Sequence, residues 1–325
     1  MFHLASWQGK NMQNLSYREL SELLKVKAPL LMLDRLAIDV VGGRADGVKV
    51  VSMDEFHFAG HFPGQPVLPG VLQVAGMCQA SQALFMIEGG HGEGVPVVTA
   101  LKRVKFRTPV RPGMRLEIEC VKSSVTEDGS VEYTVKTMAD GQLASSGVVT
   151  MAMRPADYYC MTASDLESSP LLTEVEGKEW LGPQSVMEHI PHRFPFMFVD
   201  RAYGLDDPAT VLGVKNVTGN GMFVNATEPA QFPGFLQIEA GAQLGCAAIL
   251  AQPSEQGKLG FFMSIDTAEF HAPALPGTQL SMAIECELKG RFGIASGKLY
   301  AGSRLVTETS IKFAIVTPEE AAGGK

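Results

Sequence analysis

Two periodicities divide this chain. The segments LEIECVKSS (116–124), EYTVKTMAD (132–140) and GVVTMAM (147–153) alternate apolar with polar residues and are rich in Val, Ile and Thr, the period-two pattern of half-buried strands. Asp128-Gly129 and Asp140-Gly141 fall between them, which predicts antiparallel strands joined by hairpins. The same pattern returns through Leu280–Glu287, Gly293–Tyr300 and Val306–Ile315. After Pro69 the pattern changes. Leu72, Val74, Ala75, Cys78, Ala80, Leu84 and Phe85 leave few polar faces, so this segment reads as a helix buried nearly all round. Pro69 and Gly70 stand at its start, where proline is favoured. One long buried helix wrapped by an antiparallel sheet satisfies both patterns, an α+β architecture.

The chain states this arrangement twice. HFPGQPVLPGVLQVAGMCQ (61–79) aligns without a gap on NATEPAQFPGFLQIEAGAQ (225–243), so that Pro69 and Gly70 fall on Pro233 and Gly234 at an offset of 164 residues (233 − 69). VKFRTPVRPG (104–113) recurs as AEFHAPALPG (268–277), and Leu33-Asp34-Arg35 as Val199-Asp200-Arg201. A period this long indicates duplicated domains rather than a solenoid of short repeats. The expected halves are residues 1–160 and 183–325, with 161–182 as a linker in a stretch where Pro, Ser, Asp and Gly collect. The copies differ in complementary places. His61 in the first stands against Asn225 in the second, and Glu239 in the second against Ala75 in the first. If the halves pair about a pseudo-twofold axis, one mixed site holds a His and a Glu while the other holds neither.

Composition narrows the function. The 325 residues carry a formal net charge of −8, without the basic cluster and interleaved aromatics that a nucleic-acid surface requires. The five cysteines make no CxxC pair and no Cys/His ligand spacing, which argues against a zinc or disulfide framework. They read as reduced, buried thiols used in packing, in a reducing compartment. The segment MFHLASWQGKNMQ lacks the apolar core and cleavage site of a signal peptide. The apolar runs Val71–Ile87 and Phe235–Leu250, interrupted by Gln and Gly, read as too short to span a membrane. A cytoplasmic protein with no membrane partner is expected.

The strings GHFPGQPVLPGVLQ (60–73) and IPHRFPFMFVDR (190–201) resemble the motifs of the β-hydroxyacyl-acyl-carrier-protein dehydratases of fatty-acid synthesis, which have the hotdog fold. With VKFRTPVRPG, the resemblance covers most of both halves. It implies a double hotdog in which a His from one unit meets a Glu or Asp on the central helix of the other. His61 matches the family His and Glu239 the family carboxylate. Ala75 and Asn225 depart from the pattern, implying a degenerate second site. The implied partner is an acyl carrier protein bearing a phosphopantetheine-linked β-hydroxyacyl chain, with no cofactor and no metal. Higher association of double-hotdog units stays open.

Dehydration asks for these residue types. The weakly acidic C2 proton must be removed and the C3 hydroxyl protonated as it leaves. A histidine titrating near operating pH suits the first task, so His61 is the candidate base. A glutamic acid kept neutral by apolar surroundings suits the second, so Glu239 is the candidate acid. Backbone N–H groups at a helix start, at Gly234 or at Gly70, are placed to hold the thioester oxygen. Glu rather than Asp on the helix favours plain dehydration over shifting the double bond, by the family resemblance. Gln79 and Gln243, present in both copies, read as structural residues bonding backbone across the pair. His57 reads as a surface or tunnel-mouth residue, His192 and Arg193 as packing or access residues near a tunnel entrance. Two other functions fit the same residues. A hotdog thioesterase would use Glu239 without His61, and an inert acyl-binding subunit of a synthase complex would use neither. The complementary losses favour the enzyme, because random decay would as readily have stripped both residues from one copy.

Overall fold

The structure is a computed structural model describing residues 12–317 except 174 and 208; most of the segment read as lacking a leader, and the outer limits set for the two halves, lie outside these residues. The first half contains β1 (Met12–Ser16), α1 (Tyr17–Leu24), β2 (Arg35–Asp39), β3 (Arg44–Val50), α2 (Gly70–Glu88), β4 (Val95–Phe106), β5 (Arg115–Val125), β6 (Val131–Ala139) and β7 (Gln142–Arg154). Two short helices follow, α3 (Pro170–Thr173) and α4 (Pro183–Met187). The second half contains β8 (Arg201–Tyr203), β9 (Val211–Asn216), α5 (Gly234–Leu250), β10 (Leu259–Phe270), β11 (Gln279–Lys289), β12 (Phe292–Ala301) and β13 (Arg304–Val316). The alternating segments are strands β5 to β7 and β11 to β13, as their period predicts. At the β6–β7 hairpin Ala139 pairs with Gln142 across Asp140 and Gly141, whose φ angles are +47° and +83°. Two consecutive left-handed residues make the tight turn whose twist matches the strands, the role Asp-Gly suits.

The 13 strands among the described residues form one sheet in the order β1-β2-β3-β5-β6-β7-β4-β10-β13-β12-β11-β9-β8. From the centre outward the two sides repeat the same sequence of elements, with β1 an added strand at the outer edge of the first; this is the double hotdog. The junction is the antiparallel pairing of β4 with β10, and its register is itself symmetric. Ile265 faces Val104 while Ala268 faces Leu101, and each pairing becomes the other under the 164-residue offset. The pseudo-twofold axis therefore passes between these strands. Each half wraps its own helix, α2 against β3 to β7 and α5 against β9 to β13, and the helices also touch each other.

Burial explains the composition of the helices. Fourteen of the 19 residues of α2 are buried, so its apolar faces meet protein on nearly every side. The helix has the length and hydropathy of a membrane span, which corrects the expectation that this run is too short; its apolar surface is spent on the sheet around it. At the start of each helix a ring from the neighbouring strand lies over the first turn. A Cβ on Gly70 would stand 3.0 Å from Phe106, and one on Gly234 2.4 Å from Phe270. A side chain at either position would have to push that ring aside, and no side chain caps the first N–H groups of either helix.

The connection between the halves is packed onto the second. Asp165 is buried and paired with Arg304 at 3.2 Å, and α3 rests on β11. The cysteines are all free; Cys78 and Cys120 are buried, Cys246 and Cys286 half-buried and Cys160 exposed, which corrects the expectation that all five are buried.

Leu101 lies fully buried at the β4–β10 junction. Leu101→Ala is expected to lower the unfolding free energy by about 2–5 kcal/mol, read as a shift of the urea midpoint. Because the junction joins both cores, far-UV circular dichroism and fluorescence should report one transition. Two resolved transitions would count against a shared core.

Candidate active site

His61 is set by a turn that both copies of the motif reproduce. Its N–H donates to the His57 carbonyl at 2.9 Å, as the Asn225 N–H does to Gly221 at 2.9 Å. The loop then closes on the ring, with Val67 N–H donating to the His61 carbonyl at 3.1 Å and His61 Nδ1 2.8 Å from the Val67 carbonyl. A carbonyl can only accept, so this contact assigns the proton to Nδ1 and leaves the lone pair on Nε2.

Glu239 comes from the other half, buried in the second turn of α5. Its Oε1 accepts from Gln243 Nε2 at 2.9 Å, one helical turn on. His192 Nε2 stands 3.3 Å from the same oxygen. The His61 and His192 rings meet edge-on with centroids 5.3 Å apart, and donor atoms of His61, His192 and Glu239 all lie within 4.8 Å of one another. Two imidazoles and a carboxylate at this spacing also meet the donor requirement of a divalent cation. The structure thus brings together the two residues singled out from opposite copies and adds a third.

Burial pushes His61 down to about 4, helped by the charge of His192 and opposed by Glu239. A neutral imidazole with a free Nε2 results. For Glu239 burial is the largest influence and acts upward, toward the neutral acid. The hydrogen bond and charge of His192, the charge of His61 and the Gln243 amide together outweigh it, and the carboxyl titrates below its ordinary value. This corrects the expectation of a resting neutral acid. Apolar neighbours on the helix suggested protonation, but the groups facing the carboxylate from other elements decide its state.

The other singled-out residues lie as follows. Gln243 Oε1 accepts from Phe198 N–H at 2.9 Å and its Nε2 donates to Phe196 O at 3.1 Å. Gln79 does the same with Met32 (2.7 Å) and Leu30 (2.6 Å). Both glutamines therefore anchor a segment of their own half, not backbone across the pair. His57 is buried, with its ring tilted against Phe58, and is not a surface or tunnel-mouth residue. Arg193 N–H donates to Gly60 O at 3.1 Å, tying the halves together as Lys27 N–H does to Ala226 O at 2.8 Å. Gly234 lines a cavity on the opposite side of the pseudo-dimer, with Val26, Gln79 and Thr227. Gly70 belongs to the His61 side, three residues beyond Val67. Ala75 and Asn225 are not among the residues lining that second cavity; Cys78 and Thr227, three and two residues further along, are.

His192 is the residue that sequence reasoning misplaced. A signal for it existed. Asp34 and Asp200 align at an offset of 166 residues (200 − 34), and so do the cis-prolines Pro29 and Pro195. That offset sets His192 against Val26, a third position at which one side carries an ionisable group and the other does not.

A family model described as FabA-like domain matches residues 24–147 and 190–310. The chain is 43% identical over 141 residues to the 3-hydroxyacyl-[acyl-carrier-protein] dehydratase FabZ of Symbiobacterium thermophilum, covering 42% of this chain and 99% of the relative. It is 40% identical over 133 residues to the protein of the same name from Pelotomaculum thermopropionicum, covering 40% and 95%. Among solved structures, the dehydratase domain from the CurJ module of curacin polyketide synthase superposes with a TM-score of 0.63 at 12% identity, covering 89% of this chain and 97% of that one. The dehydratase domain of PpsC from Mycobacterium tuberculosis gives 0.61 at 12%, covering 88% and 99%. At such identities these neighbours show the fold, a double hotdog.

Buried neutral histidines leave a mark on stability. Burial pushes His57 down to about 3, helped by the charges of His61 and Lys49, and His61 to about 4. Both take up a proton near pH 6.5 once unfolded, so the unfolded state binds more protons between pH 6.5 and 4. Stability should fall as pH drops through that window, by up to about 1.4 kcal/mol per pH unit for each histidine. Urea titrations at pH 7 and pH 5 measure it, and His57→Gln should remove part of the slope. A slope unchanged in that variant would mean that His57 is already protonated in the fold.

Proposed function

Because this chain belongs to the family of FabA-like domains, we propose that it dehydrates β-hydroxyacyl thioesters borne on acyl carrier protein to trans-2-enoyl thioesters, at one composite site shared by its halves. The observation that carries the reading is the convergence of His61 from one half and Glu239 from the other into a single cluster. The names of the sequence relatives support the reaction and the carrier.

In this reading His61 Nε2 removes the C2 proton, and the electron pair moves toward the thioester oxygen. The first N–H of α2, at Gly70, donates to that oxygen from the positive end of the helix dipole. The pair then returns to form the C2–C3 double bond as the C3–O bond breaks, and Glu239 gives the departing hydroxyl its proton, releasing water. Glu239 must gain that proton from solvent as substrate seats, and His61 returns one to solvent after turnover. Burial already acts toward the neutral acid, and a substrate hydroxyl taking the place of His192 Nε2 beside Oε1 removes the main opposing interaction. His192 is thus a positioning residue that governs when the carboxyl holds a proton. Gln243 fixes the carboxyl's orientation by bonding it and the Phe196–Phe198 backbone together. Glu239, rather than Asp, goes with dehydration without isomerisation. The division into units 1–160 and 183–325, joined by 161–182, and a cytoplasmic setting for free thiols belong to the same proposal.

His61→Ala and Glu239→Ala should each lower kcat/KM by roughly 10²–10⁴-fold, and the double variant should be scarcely worse, because the two act as a unit. Loss of water from a carrier-bound substrate, followed by mass spectrometry, reads this. Hydrolysis that survives His61→Ala would indicate a thioesterase instead. Asn225→Ala should leave kcat intact. In His192→Ala the carboxyl of the free enzyme should hold its proton to higher pH, so the alkaline limb of the kcat/KM profile should move upward. A uniform loss of rate without that displacement would reduce His192 to a packing role.

A further inference from the structure

We propose that the opposite side of the pseudo-dimer is a second, non-reacting binding site for an acyl chain; the ligand class rests on the dehydratase reading. A partly open cavity of about 340 Å³ lies there. Its position is the symmetry counterpart of the catalytic cluster, since it is lined by Val26, Gln79 and Gly234, the equivalents of His192, Gln243 and Gly70. Its walls come from both halves and are largely apolar, with Met86 from α2, Val97 from β4, Phe235 from α5 and Phe270 from β10. An apolar cavity of about 150 Å³ suffices to bind benzene, and small-molecule sites begin near 300 Å³.

The lost residues point the same way. On this side the imidazole of His192 is replaced by the isopropyl of Val26, the carboxyl of Glu239 by the methyl of Ala75, and the ring of His61 by the amide of Asn225. Of the three positions Val26 stands on the cavity wall, where the change removes an ionisable group and bulk together, so reactivity is lost without filling the space. A surface under no constraint to stay open gains stability by closing its voids, because an unfilled cavity is costly. The binding features of the other side persist. The start of α5 carries no side-chain cap, so its N–H groups can donate to a thioester carbonyl while the apolar wall takes the chain. The positions equivalent to His61 and Glu239 are Asn225 and Ala75, so the catalytic pair of the other side is missing and the chain is retained unreacted.

The probe is an acyl-pantetheine amide with a diazirine at the chain end, which cannot be dehydrated. Calorimetric titration of the native chain should give two equivalents, and irradiation should label peptides on the His61 side and peptides carrying Met86, Val97 or Phe235. Val26→Trp, a ring at a position whose counterpart already holds the His192 ring, should reduce binding to one equivalent and abolish labelling of the second set, with turnover of the β-hydroxyacyl substrate unchanged. In Glu239→Ala turnover should be lost while labelling of the second set persists. A chain that fails to dehydrate yet labels both sets would overturn the dehydratase reading and leave this pocket standing. One equivalent in the native chain, with no label at Met86, Val97 or Phe235, overturns the proposal without any variant having to fold.

Discussion

The pairing of β4 with β10 is the interaction on which the rest depends. Each half alone would end at an exposed strand edge, a liability in any sheet. Joined edge to edge with a register that maps onto itself, the halves share one sheet, and α2 and α5 meet inside it. The crossing backbone bonds, Arg193 to Gly60 and Lys27 to Ala226, then fix each loop of one half over the helix of the other. This geometry makes a site composite. His61 reaches Glu239 only because the junction sets the first half's loop above the second half's helix.

Charge burial then ties the residues of a site to one another. A carboxylate in α5 would be an uncompensated buried charge without His192 and Gln243, and such a charge costs several kcal/mol. Gln79 on the other side has a separate task, holding the Leu30 and Met32 backbone of its own half. A Glu at position 75 would have faced Val26 and not an imidazole. Loss of one member therefore removes the reason for the other, and the complementary pattern of the two copies is what electrostatics leads one to expect.

Much of this was legible in the chain. Period-two alternation located β5 to β7 and β11 to β13, and the near-continuous apolar run after Pro69 located α2, because in each case the burial pattern is local. The duplication exposed His61 and Glu239 by comparing like with like. Short strands near the ends of the sheet, such as β2, β8 and β9, were not legible, since three to six residues carry too little periodicity. His192 was missed because the offset changes from 166 to 164 between its segment and the motif, so an ungapped comparison slips past Val26. His57 sits in a turn among glycine and proline, which resembles surface, and only the folded chain shows it covered. The ionisation of Glu239 was misread for a related reason, since its helical neighbours are apolar and its polar partners arrive from elsewhere in sequence.

The sequence relatives match about two-fifths of this chain over nearly their whole length, so each corresponds to one half. Two identical copies of such a unit must change both of their sites with every substitution. Fusion of the two halves into one chain lifts that restriction, because position 75 and position 239 are separate codons. It also makes the partner's effective concentration a property of the chain, independent of how dilute the protein becomes. Specialisation of one side at the other's expense is then open to mutation one residue at a time, with no interval in which the pair must reassemble from unlike partners.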